Sequence, residues 1–137
     1  MKCTEPLILC VDDDPPELHS LERTIGRHGY RVQGCQSAAE ALDAVAKDRP
    51  ALAIVDIMMP GMDGLELTRR LAHWDDGPIP VVLLTGLGSE EARYQGFVEG
   101  AQFVVDKPCE PRQILDVVDY FAGDLDDEER QKLKERL

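Results

Sequence analysis

The stretch Leu7-Ile8-Leu9-Cys10-Val11 is a continuous apolar run that ends abruptly in Asp12-Asp13-Asp14. A short run without polar interruption is typical of a strand that is buried on both faces of a sheet. Similar or weaker runs recur along the chain at residues 30–35, 52–55, 81–84 and 103–105. The sequence therefore predicts five short strands.

Segments with helical periodicity separate these runs. The clearest begins at Ser37, an N-cap residue with Glu40 three positions later, and continues to Lys47. Another start signal is Ser89, which is followed by two glutamates that suit a helix N-terminus. Further helices are predicted at about residues 16–27, 65–72 and 111–121. Five strands alternating with five helices predict a three-layer, doubly wound α/β fold with a parallel sheet and right-handed crossovers.

With 137 residues, 43% of them hydrophobic, the chain can form one well-buried core but not two domains of ordinary size. We expect one domain over residues 1–122 and a charged C-terminal tail over residues 123–137. The tail is acidic first and basic last, which is the charge order that a helix dipole favours. Its apolar side chains are few, however, namely Leu125, Leu133 and Leu137. Both a sixth short helix and a solvated tail or linker stub fit this pattern.

The chain is strongly acidic, with a formal net charge of −12. This charge would repel nucleic-acid phosphates and anionic membrane surfaces, which argues against direct binding to either. No apolar run has the length of a membrane span and the first residues lack the pattern of a signal peptide, so we expect a cytoplasmic protein. The cysteines lack paired or scaffold-like spacing and are predicted to be reduced thiols, namely Cys3, Cys10, Cys35 and Cys109.

Chemically informative residues stand where the apolar runs end, and in an open parallel sheet ligands bind beyond those carboxyl ends. Clustered carboxylates repel one another unless a cation is present, and oxygen ligands without histidine or cysteine favour Mg²⁺ or Mn²⁺ over Zn²⁺. Lys107 adds a point charge for a phosphoryl oxygen and Thr85 adds a hydroxyl. An aspartate between a metal and a lysine can be the nucleophile of phosphoryl transfer. The residues at the ends are Asp12-Asp13-Asp14, Asp56, Thr85 and Asp106-Lys107-Pro108.

Each of these residues has an ordinary structural explanation when it is taken alone. Asp14 precedes two prolines and is best explained as a helix cap. Thr85-Gly86 alone indicates a turn, and Lys107-Pro108 alone indicates a solvated loop. Their occurrence together, in order, at successive strand ends favours the functional interpretation.

Several motifs along the chain form one set. They are Val11-Asp12-Asp13-Asp14-Pro15, Asp56-Ile57-Met58-Met59-Pro60-Gly61-Met62-Asp63-Gly64, Thr85-Gly86, Gly100-Ala101 and Lys107-Pro108. This set closely resembles the motifs of response-regulator receiver domains over about residues 6–121, most specifically over residues 56–64. The resemblance implies a flavodoxin-like, CheY-like fold with a five-stranded parallel sheet in strand order 2-1-3-4-5.

The resemblance also implies the site residues. Asp56 would accept the phosphoryl group, Thr85 would follow that group as the switch hydroxyl, and Lys107 would pair with it. The bond from Lys107 to Pro108 is expected to be cis, a geometry largely confined to proline. The implied Mg²⁺ ligands are Asp13 directly, Asp12 through water, Asp56 itself and the backbone carbonyl of Met58.

The sequence departs from the family pattern at positions that modulate signalling. Val104 replaces the usual Tyr or Phe, and Phe103 beside it faces the other side of the strand, so we predict a switch through Thr85 and residues 86–88 without a rotating aromatic. Met58 and Leu87 are apolar where polar side chains can assist an attacking water, so we predict slow dephosphorylation. Cys109 replaces the customary Phe after Lys-Pro, which we interpret as a packing change.

The leading hypothesis is a signalling switch that takes a phosphoryl group from a histidine kinase and catalyses only its own phosphorylation and dephosphorylation. Its expected partners are a sensor histidine kinase or phosphotransfer protein, a downstream output domain or protein, and a second copy of the chain in a phosphorylation-dependent homodimer. Two alternatives are a Mg²⁺-dependent phosphatase, which lacks a second aspartate at Met58, and an inert interaction module, which Val104 leaves open. Both a stand-alone receiver and a piece of a longer protein are compatible with the tail. Three histidines are interpreted as ordinary surface residues, namely His19, His28 and His73.

Overall fold

The computed structural model describes residues 6–57, 64–86 and 90–137. Strands and helices alternate along the chain, as predicted, and one more helix follows the alternating part. The strands are β1 Leu7–Val11, β2 Arg31–Cys35, β3 Leu52–Asp56, β4 Val81–Thr85 and β5 Phe103–Asp106. The helices are α1 Pro15–Arg27, α2 Ala38–Lys47, α3 Gly64–Ala72, α4 Glu90–Val98, α5 Pro111–Ala122 and α6 Asp127–Arg136.

The strands form one parallel sheet in the order β2-β1-β3-β4-β5, which confirms the predicted topology. All residues of β1, β3 and β4 are buried, which explains why β1 is an uninterrupted apolar run and why β3 and β4 are apolar up to their last residues, Asp56 and Thr85. β2 lies at an edge of the sheet and exposes Arg31 and Gln33. Its sequence is therefore a weaker strand signal.

Helices cover both faces of the sheet, because successive strand residues point in opposite directions. Leu9 and Val11 belong to a core layer shared with α2 and α3. Ile8 and Cys10 belong to a second layer shared with α1 and α5. The predicted three-layer architecture is confirmed. Burial of each such side chain stabilises the fold by about 1.5–3 kcal/mol before the entropy of ordering is subtracted.

Three strands extend one residue beyond their apolar runs. Asp56 pairs with Leu84 across the sheet, and Thr85 pairs with Asp106. Strand pairing uses backbone groups, so a polar side chain at the end of a strand does not interrupt it. The polar residues predicted at the ends of the apolar runs are therefore the last residues of β3, β4 and β5, and the sheet itself positions their side chains.

Two helix starts follow their predicted capping signals. The Asp14 side chain accepts from the backbone N–H of Glu17 at 3.2 Å, which confirms Asp14 as a helix cap. α1 begins at Pro15, one residue earlier than predicted, because proline suits the first helical position. The Ser37 hydroxyl accepts from the backbone N–H of Glu40 at 3.1 Å, as predicted.

Helix α4 lies close to the sheet. A Cβ atom added at Gly96 would lie 2.8 Å from Leu83 and 3.3 Å from Val104, so glycine permits this approach. The helix is described from Glu90, and the start signal at Ser89 lies outside the described residues.

The charged tail forms α6, which packs on α5. A capping box between Asp126 and Glu129 starts the helix, and Leu133 is buried. Arg136 pairs with Asp116 of α5 at 3.0 Å. Of the two predicted states of the tail, the helix is the one observed, and the division at residue 122 stays a prediction.

The described cysteines are free thiols, in line with the prediction for them. Cys10 and Cys35 are buried as small core residues, and burial raises the pKa of both thiols. Cys109 is partly exposed, and Cys3 lies outside the described residues.

The helices in the described part of the chain are short. None of them has both the length and the apolar content that crossing a membrane requires, and α1 has 13 residues.

Candidate functional site

Three strand ends bring predicted site residues to one rim of the sheet. Asp12 directly follows β1, and its backbone N–H donates to the Cys35 carbonyl at 3.1 Å. Asp56 is the last residue of β3. Lys107 directly follows β5, and its backbone N–H donates to the Thr85 carbonyl at 2.8 Å. Backbone hydrogen bonds therefore hold the acidic and basic side chains in register.

Asp12, Asp13 and Asp56 form an acidic cluster. One carboxylate oxygen from each lies within 4.8 Å of the others, which is close enough for all three to share a metal ion. Asp12 and Asp56 are buried, whereas Asp13 is exposed. The structure thus brings together the three acidic side chains that the resemblance assigned to metal binding.

The Asp12 carboxylate is the most buried charge of the cluster. It is 1% exposed, and its Oδ1 accepts from the backbone N–H of Asp14 at 3.0 Å. Its Oδ2 has no hydrogen-bond partner, and the ammonium of Lys107 lies 3.8 Å from it. Burial, with the charge of Asp56, raises the pKa of Asp12 to about 6, although the Asp14 bond and Lys107 work to lower it. A buried carboxylate oxygen without a donor fits a site for a hydrated cation.

Lys107 lies among three carboxylates. Its Nζ is 3.0 Å from Glu17 Oε1, 3.5 Å from Asp56 Oδ1 and 3.8 Å from Asp12 Oδ2. Burial works to lower the pKa of Lys107, but the hydrogen bond to Glu17 and the neighbouring negative charges outweigh it and raise that pKa. Lys107 therefore keeps its positive charge at the rim beside the acidic cluster.

Glu17 is a site residue that the sequence analysis did not identify. It lies in the first turn of α1, where an acidic residue is also explained by the helix dipole. The sequence did contain one indication of this role. Glu17 lies one turn after the Asp14 cap, and side chains in the first turn of a helix point back towards its N-terminus and thus towards the rim.

Thr85, the predicted switch hydroxyl, and Val104, which replaces the usual aromatic residue, lie on the neighbouring strands β4 and β5. Thr85 is fully buried at the end of β4. Val104 is buried in the core layer of α2 and α3, whereas Phe103 packs against the layer of α1 and α5. The prediction that Phe103 faces the other side from Val104 is confirmed.

Arg93 of α4 ties that helix to β5. Its guanidinium donates to the Val104 carbonyl at 3.1 Å and pairs with Asp106 at 2.5 Å. Asp106 pairs with Thr85 in the sheet. A chain of direct contacts therefore connects the threonine to α4.

Two predicted positions lie outside the described residues. They are Met58, expected to offer a backbone carbonyl to the metal, and Leu87, expected to modulate dephosphorylation. The Lys107–Pro108 bond is cis, as expected.

A cavity of about 390 Å³ lies beside the acidic cluster, between α1 and α5. Glu17 and Lys107 line it together with apolar side chains such as Leu21 and Ile114. Cys109 is part of the same wall; burial raises the pKa of its thiol, and Lys107 works against that increase. The cavity thus adjoins the lysine on the side of α1.

Comparison with known sequences points to one family. Residues 8–119 match the response regulator receiver domain. Response regulator MprA of Mycolicibacterium vanbaalenii is 40% identical over 108 residues, which are 79% of this chain and 46% of that protein. The chain spans about half the length of the curated relatives it matches.

Solved structures share the fold. A CheY-like response regulator receiver domain protein from Methanospirillum hungatei has a TM-score of 0.79 at 27% identity, covering 98% of this chain and 100% of that one. The signal receiver domain of a signal transduction histidine kinase from Syntrophus aciditrophicus has a TM-score of 0.80 at 30% identity, covering 89% and 93%. Since the family match spans most of its length, this chain belongs to the response regulator receiver domain family.

Proposed function

We propose that this chain is a phosphorylation-dependent switch in which Asp56 accepts a phosphoryl group from the phosphohistidine of a sensor histidine kinase or phosphotransfer protein. Switching by phosphorylation is the general function of the family. The observation that carries the proposal is the position of Asp56, a buried carboxylate 3.5 Å from the Lys107 ammonium and clustered with Asp12 and Asp13.

We further propose that the acidic cluster binds Mg²⁺, which Mn²⁺ can replace. Asp13 and Asp56 would bind the ion directly, Asp12 would act through water, and the Met58 carbonyl would complete the set. The buried Asp12 Oδ2 without a hydrogen-bond partner supports this assignment, as does a ligand set made of oxygen atoms. When bound, Mg²⁺ supplies positive charge that lowers the repulsion between the carboxylates and an incoming phosphoryl group.

Asp56 and Lys107 have different roles in the proposed phosphoryl transfer. A carboxylate oxygen of Asp56 forms a bond to phosphorus while the bond from phosphorus to the donor imidazole breaks, and the imidazole leaves with its electron pair and then takes a proton. Lys107 offsets the charge on the phosphoryl oxygens. The chain turns over only its own acyl phosphate in this proposal, and does not act on a separate substrate.

The proposed output route runs from Thr85 to α4. A hydroxyl that moves towards a phosphoryl group on Asp56 disturbs the end of β4, and Arg93 connects the adjacent end of β5 to α4. The small side chain of Val104 leaves no aromatic ring to rotate in this route. The change biases an equilibrium between two arrangements of the α4 surface.

We propose that this surface contacts a downstream output domain or protein, or a second copy of the chain. Three large apolar side chains of α4 are exposed, namely Tyr94 at 66%, Phe97 at 46% and Val98 at 58%. They are three and four positions apart and share one helix face. The cytoplasmic location expected from the sequence stays a prediction.

Incubation with acetyl phosphate and Mg²⁺ tests the proposal by intact-mass spectrometry. We expect the mass to increase by one phosphoryl group in the unaltered chain and in Asp43→Asn, an exposed control with the same change of charge, but not in Asp56→Asn. No increase in the unaltered chain would favour an inert interaction module. Steady phosphate release from a generic phosphate ester would favour a phosphatase.

A further inference from the structure

Glu17 is the carboxylate with the shortest distance to Lys107 among those described around it. The Nζ–Oε1 distance is 3.0 Å, against 3.5 Å to Asp56 and 3.8 Å to Asp12. Glu17 reaches the lysine from α1, whereas the acidic cluster lies at the ends of β1 and β3. Two groups on different elements therefore share one ammonium.

The two contacts differ in their surroundings. The Glu17 side chain is 49% exposed, whereas that of Asp56 is 8% exposed. A partly exposed ion pair is worth little, because water solvates both partners when they separate. The Glu17 contact can therefore be exchanged for a stronger one when a phosphoryl group on Asp56 brings additional negative charge within reach of Lys107.

We propose that Glu17 is a positioning residue that holds Lys107 in the unphosphorylated chain and competes with the phosphoryl group for it. The inference rests on the proposed phosphorylation of Asp56. Glu17 draws the Lys107 ammonium towards α1 and away from the phosphoryl group that arrives at Asp56. It thus slows phosphoryl transfer, and it loses its partner when Asp56 is phosphorylated.

The competition also connects the site to the cavity between α1 and α5. Glu17 and Lys107 both line that cavity, so a lysine that moves to Asp56 changes the charge at its wall. Phosphorylation is then sensed on the α1 side of the sheet as well as on the α4 side.

The test measures the rate of phosphorylation by acetyl phosphate at saturating Mg²⁺. Glu17→Gln keeps the shape of the side chain and the Asp14 cap but removes the charge, so we expect the rate to increase about two- to fivefold, the range of a partly exposed ion pair. Glu22→Gln is the matched control, because it makes the same change on the same helix outside the contacts of Lys107, and we expect no increase. Thermal unfolding of each variant verifies that it is folded.

A double-mutant cycle separates positioning of Lys107 from simple repulsion of the donor. In a Lys107→Ala background, Glu17→Gln is expected to leave the slower rate unchanged. The inference is overturned if Glu17→Gln matches Glu22→Gln, or if its increase persists without the lysine. Failure of the unaltered chain to gain a phosphoryl group would instead refute the proposed function itself.

Discussion

At Asp12, burial raises the free energy of the charged form. The carboxyl has a pKa of about 6 in the folded chain against an ordinary value of 3.8, so the folded state binds this proton more tightly than the unfolded state. The resulting stabilisation is fully present below a pH of about 4 and is lost as the pH rises through about 6. At neutral pH the charged Asp12 therefore destabilises the metal-free protein.

Asp12→Asn is expected to stabilise the protein without divalent ions. The amide oxygen can still accept from the Asp14 N–H, while the buried charge is gone. We expect the free energy of unfolding at neutral pH to increase by on the order of 2 kcal/mol, with a smaller gain at about pH 4.5. Urea unfolding in a chelator measures both values. A variant that is less stable than the unaltered chain at neutral pH would contradict this account of Asp12.

The predicted slow loss of the phosphoryl group depends on two apolar side chains. Met58→Asn combined with Leu87→Glu introduces groups that can orient an attacking water, and we expect the lifetime of the acyl phosphate to fall at least about tenfold. Mass spectrometry after removal of acetyl phosphate follows the decay. The two single variants are the controls, and an unchanged lifetime in the double variant would mean that these side chains do not exclude water.

At the scale of elements, the loop between α1 and β2 contacts α5 at Asp119. The Tyr30 hydroxyl donates to Asp119 Oδ1 at 2.6 Å, and a ring nitrogen of His28 lies 3.0 Å from Oδ2. Burial and the bonded, charged Asp119 raise the pKa of the Tyr30 hydroxyl. The neutral Tyr30 hydroxyl thus connects the segment after α1 to α5, although Tyr30 and Asp119 are far apart in sequence.

Tyr30→Phe removes that donor and leaves the Asp119 carboxylate with one partner fewer. We expect the free energy of unfolding to fall by about 1–2 kcal/mol. The matched control is Tyr94→Phe, the same chemical change at a side chain that is 66% exposed, which is expected to have almost no effect. Equal destabilisation by both variants in urea unfolding would show that the Asp119 contact is not the cause.

For the whole molecule, the exposed apolar side chains of α4, Tyr94, Phe97 and Val98, predict that the phosphorylated chain forms a dimer. Apolar side chains that share an exposed face mark contact sites more often than isolated ones do. With beryllium fluoride and Mg²⁺ as a phosphoryl mimic, we expect analytical ultracentrifugation to show a dimer for the unaltered chain and a monomer for Tyr94→Ser combined with Phe97→Ser. Asp56→Asn is the control that cannot respond to the mimic. A doubly substituted chain that still dimerises would place the interface elsewhere.

The architecture follows from local sequence because buried parallel strands are continuous apolar runs. Asp56 and Thr85 end their strands as predicted, because they pair through their backbones regardless of side-chain polarity. Asp12, Asp13 and Lys107 were identified because parallel strand ends share one rim.

Contacts between remote elements were not predictable in the same way. Glu17 and Lys107 are 90 residues apart, and only the tertiary fold, in which α1 packs on β1 and beside α5, brings them together. The state of the tail likewise depended on tertiary contacts, because Leu133 and Arg136 stabilise α6 through burial and a pair with Asp116. Helix propensity alone is weak for so short and charged a segment.

The close approach of α4 to the sheet at Gly96 limits the size of the side chain that fits at position 104. α4 lies so close that a single added methyl group would meet Leu83 and Val104, so helix backbone fills the space that a ring would need on that face. Replacing Val104 with tyrosine would lift α4 or turn the ring outward. A protein engineer who wants an aromatic reporter at position 104 must therefore also redesign the packing of α4 against β5.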